Sequence, residues 1–393
     1  MFALVVLHAS WKLHSNRFVL MALGLLACFT ALPAATSDAT SDRPRPAGFR
    51  SAEPGYQYRF PRDHGTHDDF RTEWWYYTGH LTANNGRRFG YQVTFFRRGI
   101  EPERVGVNSS QWAIRQLYLA HVALSDLDQK RFRYAEKVSR AGLGKAGADA
   151  GRLHVWIDRW SAEASGPPHE HHRVLAGTNE FSLDLTLTPE KPPIVHGERG
   201  VSRKGNAPIQ GSHYYSFPRL ATSGTLTVNG ERVAVNGLSW MDHEFGSGDL
   251  GDDLAGWDWF SVQLENKTEL MLYRLRRADG TVAPVSSGTA IFPDGRTQHL
   301  SAADVQVDIL DYWSSQASGG RYPSRWRLTV PALDLSLDLR PLLSDQELTT
   351  SHSTQVIYWE GAVEISGHLR GAPVTGQGYV ELTGYAKPIR KRL

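Results

Sequence analysis

The stretch Leu238–Phe260, LSWMDHEFGSGDLGDDLAGWDWF, decides how the rest of the chain is organised. It opens with Trp240-Met241-Asp242-His243-Glu244-Phe245, in which titratable residues sit among large apolar ones. A Gly/Asp/Ser-rich connector, Gly246 to Gly256, leads to a second aromatic burst, Trp257-Asp258-Trp259-Phe260. Exposed loops rarely carry so many tryptophans, and cores rarely carry so many unpaired carboxylates. The stretch therefore reads as a joint between two units.

Working outward, the pattern on one side of the joint recurs on the other. Trp74-Trp75-Tyr76-Tyr77-Thr78-Gly79-His80-Leu81 has a counterpart in Trp257-Asp258-Trp259-Phe260-Ser261-Val262-Gln263-Leu264, and each leads through a turn to a returning run ending in arginines, Arg97-Arg98 and Arg276-Arg277. Val122 to Asp126 echoes Ala290 to Asp294, and Phe181 to Leu187 echoes Leu333 to Leu339. Val235-Asn236-Gly237, leading into Trp240-Met241-Asp242, echoes Val374-Thr375-Gly376, leading into Tyr379-Val380-Glu381. The shared order implies an internal duplication, with halves at residues 55–246 and 247–393.

The runs themselves are strand-like. Asn84-Asn85-Gly86 and Asn229-Gly230 are hairpin turn signals, and no long segment keeps a helical period; a helical turn is expected only near Ser301 to Val307. Each half supplies about eight short strands, and a meander of that length removes its edges by closing into a barrel. The expected fold is all-β, with two tandem lipocalin-like antiparallel barrels. Such a barrel holds one small ligand or is filled by side chains. The Trp-rich first strand of each half is expected to plug one barrel end.

Composition agrees. The 393 residues carry a net charge of +2, 11% aromatics and 12 Trp, with 37 Gly and 20 Pro as punctuation. No run of like charge suggests nucleic-acid binding. At the N-terminus Lys12 and Arg17 precede an apolar run, Phe18 to Ala35, with the layout of a secretory signal. Residues 36–54 read as a tether. The single cysteine, Cys28, in Leu25-Leu26-Ala27-Cys28, resembles a lipoprotein cleavage box, the alternative being an ordinary cut near Ala34 or Ala35. The expectation is an exported protein of the periplasm or cell envelope, touching the membrane surface through a lipid anchor if Cys28 is lipidated. If Cys28 is lipidated or removed, no thiol remains, and disulfides, thiolate catalysis and Cys-based metal sites are then excluded.

Taken together, Glu73-Trp74-Trp75-Tyr76-Tyr77-Thr78-Gly79-His80-Leu81, Ser202-Arg203-Lys204-Gly205, Tyr214-Tyr215-Ser216, Trp240 to Gly246, Gly256 to Phe260 and Tyr358-Trp359-Glu360-Gly361 resemble the secreted lipocalin-like family of AttH-type proteins and carotenoid 1,2-hydratases. The resemblance covers roughly residues 55 to 390. It implies two calycin-type barrels packed together and a range of activities: hydratases, pericyclase-like fungal enzymes, and accessory proteins of an envelope ABC transporter. In the hydratases a His-x-Trp pair and a later Tyr and Asp are functional. His243 matches the first, Phe245 stands in place of the Trp, Tyr273 matches the Tyr, and no acid lies beside Tyr273.

Hydrating an isolated alkene requires protonating carbon, and the acid must be a carboxyl whose pKa is raised by an apolar pocket. Aromatic faces then stabilise the resulting cation. Asp242, His243 and Glu244 supply the residue types, with Asp258 as a second acid. On a strand Trp240, Asp242 and Glu244 share one face and Met241, His243 and Phe245 the other. The alternative for this trio is a buried hydrogen-bonded cluster fixing the two barrels, in which the carboxylate orients the imidazole. Candidate ligand contacts are Trp74, Trp75, Tyr76, His121, Tyr214, Trp240, Phe245, Trp257, Trp259, Tyr273 and Trp359. A hydrolase is disfavoured, since Gly-x-Ser-x-Gly is absent from the sequence. His169-Glu170-His171-His172 lacks His-Glu-x-x-His spacing and reads as a polar loop, so no metal is expected. Arg203-Lys204 reads as an exposed basic turn. The expected partner is a hydrophobic small molecule or lipid, bound without a cofactor. Any reaction is of lyase or isomerase type, with a carotenoid-hydratase-like enzyme and a non-catalytic transporter accessory as alternatives.

Overall fold

The computed structural model describes residues 48–100, 114–166 and 171–389. Cys28 and the proposed signal lie outside the described residues. Period-two alternation of apolar and polar residues, punctuated by turn formers, yields strands almost throughout. The first set is β1 (Thr72–Ala83), β2 (Arg88–Gly99), β3 (Gln116–Asp126), β4 (Arg131–Arg140), β5 (Ala146–Ala148), β6 (His154–Ile157), β7 (Trp160–Ser165), β8 (His171–Gly177), β9 (Phe181–Pro189), β10 (Ile194–Val195), β11 (Ser202–Arg203), β12 (Gly211–Val228) and β13 (Glu231–Gly246). They form one antiparallel sheet, ordered β4-β3-β2-β1-β13-β12-β9-β8-β7-β6-β5, with β10 and β11 added against β12. The Asn229-Gly230 turn joins β12 to β13 with both residues at positive φ, 51° and 83°, the geometry that a two-residue hairpin needs.

The second set is β14 (Leu254–Leu264), β15 (Glu269–Arg277), β16 (Ser287–Ile291), β17 (Thr297–Ser301), β18 (Gln306–Ser314), β19 (Arg321–Val330), β20 (Leu335–Pro341), β21 (Glu347–Thr349), β22 (Ile357–Leu369) and β23 (Ala372–Thr383). Its order is β17-β16-β15-β14-β23-β22-β20-β19-β18, with β21 on β22. In both sheets the first four strands run outward from a central pair made by the first and last strands, β1 with β13 and β14 with β23. Thus β1 corresponds to β14, β12 to β22 and β13 to β23. The echoed Gly237 and Gly376 occupy matching places, where a Cβ would lie 1.9 Å from the His80 carbonyl oxygen and 2.5 Å from that of Gln263. A single 3-10 turn, Ala302–Asp304, stands where a helical turn was expected.

The two sheets curl into a near-barrel and a half-barrel. The outer strands of each sheet, β4 with β5 and β17 with β18, form no ladder with one another, so neither sheet closes into a continuous hydrogen-bonded barrel. Both interiors are filled. Trp75, Tyr77, Tyr91, Phe95, Leu185 and Tyr215 belong to the first core, and Phe260, Leu272, Trp326, Leu337 and Trp359 to the second. The plugging role expected of the first-strand tryptophans therefore holds for Trp75 alone. Alternation turns Trp74, Trp257 and Trp259 outward, toward the other sheet.

Those outer faces pack together, and Arg45–Leu393 forms one compact unit. Gly90 permits the close approach, since a Cβ there would sit 2.8 Å from both Ala362 Cβ and the Tyr379 hydroxyl. Polar groups lock the contact. Glu269, fully buried, receives Lys191 and Arg219 from the first half at 2.5 and 2.6 Å. Gln263 Nε2 donates to the carbonyls of Pro218 and Ser239, both at 2.9 Å. Residues 48–54, read as the end of a tether, lie against this body, with Ala52 buried beside Phe70, Val201 and Phe245. His171 and His172, read as part of a polar loop, open strand β8, and the His172 ring is buried beside the Tyr77 hydroxyl at 3.1 Å.

Candidate active site between the barrels

A cavity of about 570 Å³ lies between the two sheets rather than inside either barrel. That is the size of a pocket for one small organic molecule. Its walls are the outward positions of the corresponding central strands. Trp74 and Tyr76 of β1 face Trp257 and Trp259 of β14, Tyr214 of β12 matches Tyr358 of β22, and Asp242 of β13 matches Glu381 of β23. The register supports the match: Asp242 pairs with Tyr76, and Glu381 with Trp259. Each half thus contributes acids and aromatic residues at matching strand positions.

Asp242 is buried and hydrogen-bonded on both oxygens. The Tyr214 hydroxyl donates to Oδ2 at 2.7 Å, Trp240 Nε1 donates to Oδ1 at 2.6 Å, and Ser216 donates to Oδ1 as well. These donors favour the carboxylate, yet burial outweighs them and Asp242 is pushed up to about 7. Glu381 is also pushed up to about 7 by burial, against the opposing hydrogen bond from Trp257 Nε1 at 3.1 Å. Glu360 of β22 lies directly across the strand from Glu381. Burial, and then the charge of Glu381, holds it well above the usual carboxylate range, because two carboxylates opposed on neighbouring strands do not both ionise readily.

Glu244 behaves differently. Lys204 Nζ reaches it at 2.9 Å and lies 4.4 Å from the Tyr273 ring centre, and Ser212 donates to the same carboxylate. Burial alone would lower Lys204, but the Glu244 carboxylate beside it outweighs that and raises it. The residue read as part of an exposed basic turn is therefore a cavity-wall cation. Tyr273 lines the cavity and donates to the Arg203 carbonyl at 3.1 Å. His121 lines it too, bound to the Tyr358 hydroxyl and Ser353 Oγ, both at 2.8 Å, and burial lowers it to about 3, so it is neutral.

The remaining candidates lie elsewhere. His243, Phe245 and Trp75 point the opposite way from Asp242, into the end of the near-barrel. There His243 Nε2 lies 2.9 Å from Glu73 Oε1, His67 Nδ1 lies 2.8 Å from the same oxygen, and Arg97 Nε donates to Glu73 Oε2 at 2.9 Å. Phe245 stacks on His67 with ring centres 3.6 Å apart. The carboxylate orienting the imidazole is therefore Glu73, not Asp242 or Glu244. His67, Glu73 and His243 converge enough to hold a metal ion. Their protons and lone pairs are already matched with one another, however, and Arg97 neutralises Glu73, so the cluster fits a hydrogen-bonded cap. Asp258 is also outside the cavity, held by Arg276 at 2.7 Å and the Tyr385 hydroxyl at 3.0 Å. Trp359 belongs to the second core and donates to the Ser344 carbonyl. Trp240 packs beneath the cavity wall, edge-on to Trp259.

Glu360, Glu381 and Lys204 were not among the residues expected to form the site. Glu381 was legible as the repeat counterpart of Asp242. Glu360 and Lys204 sit in motifs of the family resemblance but carry no local mark of where they point.

The AttH-like family matches residues 51–385. The structure of a putative AttH from Nitrosomonas europaea superposes with a TM-score of 0.77 at 35% identity, covering 86% of this chain and 99% of that one. Kievitone hydratase from Nectria haematococca superposes with a TM-score of 0.67, covering 87% and 98%; at 16% identity that likeness is one of fold. A dehydratase of Emericella nidulans, asqC, is 24% identical over 217 residues, which span 53% of this chain and 60% of that relative's length.

Proposed function

This chain belongs to the AttH-like family, and from that premise we propose that it binds a neutral hydrophobic small molecule between its barrels and adds or removes water there without a cofactor. The observation that supports this most directly is Asp242: a carboxyl poised at about 7, buried against Trp240, Tyr214 and Trp259 on the wall of an aromatic cavity. An acid poised near neutrality both gives and takes a proton at useful rates. Trp74, Trp257 and Trp259 offer ring faces to a developing carbocation. Glu244 and Lys204 neutralise each other, which suits a ligand without net charge. A hydratase and a dehydratase make the same bond change in opposite directions, so the names of the two fungal relatives are consistent with one kind of site. Lipocalin-like binding without turnover is the second reading, favoured by the filled barrels and the ligand-sized space between them. An exported, envelope location, anchored through Cys28, is part of this proposal.

Native mass spectrometry of the protein taken from its own cells tests the binding: a co-purified hydrophobic molecule is expected, and a protein that carries and takes up none sinks the reading. With that molecule in hand, Asp242→Asn separates enzyme from binder. Retained binding with turnover lowered about 100-fold or more is expected, and unchanged turnover removes Asp242 as the acid.

A further inference from the structure

Among the described residues, Thr78 Oγ1 and Gln92 Oε1 are buried near Asp242 without a hydrogen-bond partner, and the Tyr76 hydroxyl and Glu360 Oε1 have no partner of good geometry other than each other. A buried polar atom left unpaired is costly, and these four are not scattered. Tyr76 and Thr78 are successive outward positions of β1, Gln92 is the cross-strand partner of Thr78, and Tyr76 is the cross-strand partner of Asp242. Tyr76 also lies against Glu360. Tyr76, Gln92 and Glu360 all line the cavity, with exposures of only 7, 2 and 2%. Neighbouring polar groups are matched within the protein: Gln92 Nε2 donates to Thr94 Oγ1 at 2.6 Å, and Ser125 to Gln346 at 2.6 Å. One spot on the wall therefore presents a phenol, an amide carbonyl and a carboxyl to a small oxygen-bearing group.

Resting on the hydro-lyase reading above, we propose that Tyr76, Gln92 and Glu360 form the subsite for the oxygen lost or gained, with Glu360 as the acid for that oxygen and Asp242 serving the carbon. Burial first, and then Glu381 opposite it on the next strand, keep Glu360 protonated. In the eliminating direction the C–O bond breaks with its electron pair going to oxygen. The Glu360 proton joins that oxygen, which leaves as water. The neighbouring C–H bond then breaks, its electron pair becomes the second bond of the alkene, and its proton goes to the Asp242 carboxylate. Exchange through solvent returns that proton from Asp242 to the Glu360 carboxylate. Hydration is the same sequence reversed. The chemistry defines a substrate class: a hydrophobic tertiary or allylic alcohol with a hydrogen on the adjacent carbon, or the alkene derived from it, since only such a C–O bond ionises readily beside aromatic faces.

The two arms can be read separately with isotopes. The purified full chain is incubated with linalool, an acyclic terpene tertiary alcohol, in heavy-oxygen water and separately in deuterium oxide, and the recovered probe is analysed by mass spectrometry. Wild type is expected to exchange the carbinol oxygen and to wash deuterium into the carbon framework. Glu360→Gln lowers oxygen exchange about 100-fold or more. Tyr76→Phe, which keeps the ring and so guards against a folding failure of the first variant, lowers it about 10-fold. Asp242→Asn loses deuterium wash-in and keeps oxygen exchange. Oxygen exchange at the wild-type rate in a folded Glu360→Gln, or in Tyr76→Phe, overturns the subsite and leaves the hydro-lyase reading standing. A wild type that exchanges neither isotope overturns both.

Discussion

Strand β13 shows two faces built from the same residue types with opposite outcomes. On the barrel side, His243 joins Glu73, His67 and Arg97 in a network where every charge has a partner. Burial would raise Glu73, but Arg97 and His67 hold it well below the usual carboxylate range. On the cavity side, one residue away, Asp242 has only neutral donors and rises to about 7. Both carboxyls are buried, so burial does not distinguish them; the presence of a cation does. A carboxyl paired with arginine is fixed as a structural anion, and one paired with tyrosine, serine and tryptophan remains able to exchange a proton.

The largest effect should come from breaking the closed face. Arg97→Met leaves Glu73 as an uncompensated buried charge, and a loss of about 3–5 kcal/mol is expected in chemical denaturation; a loss under 1 kcal/mol would mean that His67 suffices. Asp242→Asn is the complementary change on the open face, with little loss of stability at neutral pH and the drop in turnover described above. Its pH signature follows from the direction of the shift. A carboxyl raised in the folded state holds its proton between the unfolded value and about 7, so its contribution to stability is greatest in acid and is lost as pH rises through that window. The melting temperature of Asp242→Asn relative to wild type should therefore climb from pH 5 to pH 7 and then level off; a flat difference contradicts the assignment. Thr94→Trp, placing a bulky ring in the cavity, should abolish ligand binding while the protein stays folded. Trp257→Phe is the smallest change: losing one donor, worth about 1 kcal/mol, should push Glu381 further up, visible as an upward shift in any pH profile that Glu381 controls.

Much of this was legible in the sequence. The echo of Trp74 to Leu81 in Trp257 to Leu264 marks the strands that occupy equivalent places in the two sheets. Simple alternation separates Trp240, Asp242 and Glu244 from Met241, His243 and Phe245, as the structure has them. What alternation cannot give is which face meets solvent, a core or another sheet. The pattern Trp74-Trp75-Tyr76-Tyr77 is aromatic on both faces because both are buried, one in the barrel and one against the second sheet. For that reason the sequence leaves open whether a barrel is hollow or filled, and the cavity lies between two filled ones. Asp258 and Asp242 are equally flanked by aromatic residues, and only the packing of Arg276 and Tyr385 against Asp258 tells them apart. Lys204 is a basic residue in a Gly-rich turn, and its place beside Glu244 depends on a fold spanning both halves.

The central pair in each sheet has a consequence for how the chain acquires its shape. Thr72 lies opposite Gly246, and Leu264 opposite Gly376, so the first strand of each half waits for the last. Pairings so distant along the chain must close a long loop before any ladder forms, which makes folding slow. Until β13 arrives, the inner edge of β1, with Trp74 to Tyr77, is an open template for another chain. A protein built this way is most vulnerable to aggregation during its own synthesis, and least so once the first and last strands of each half have paired.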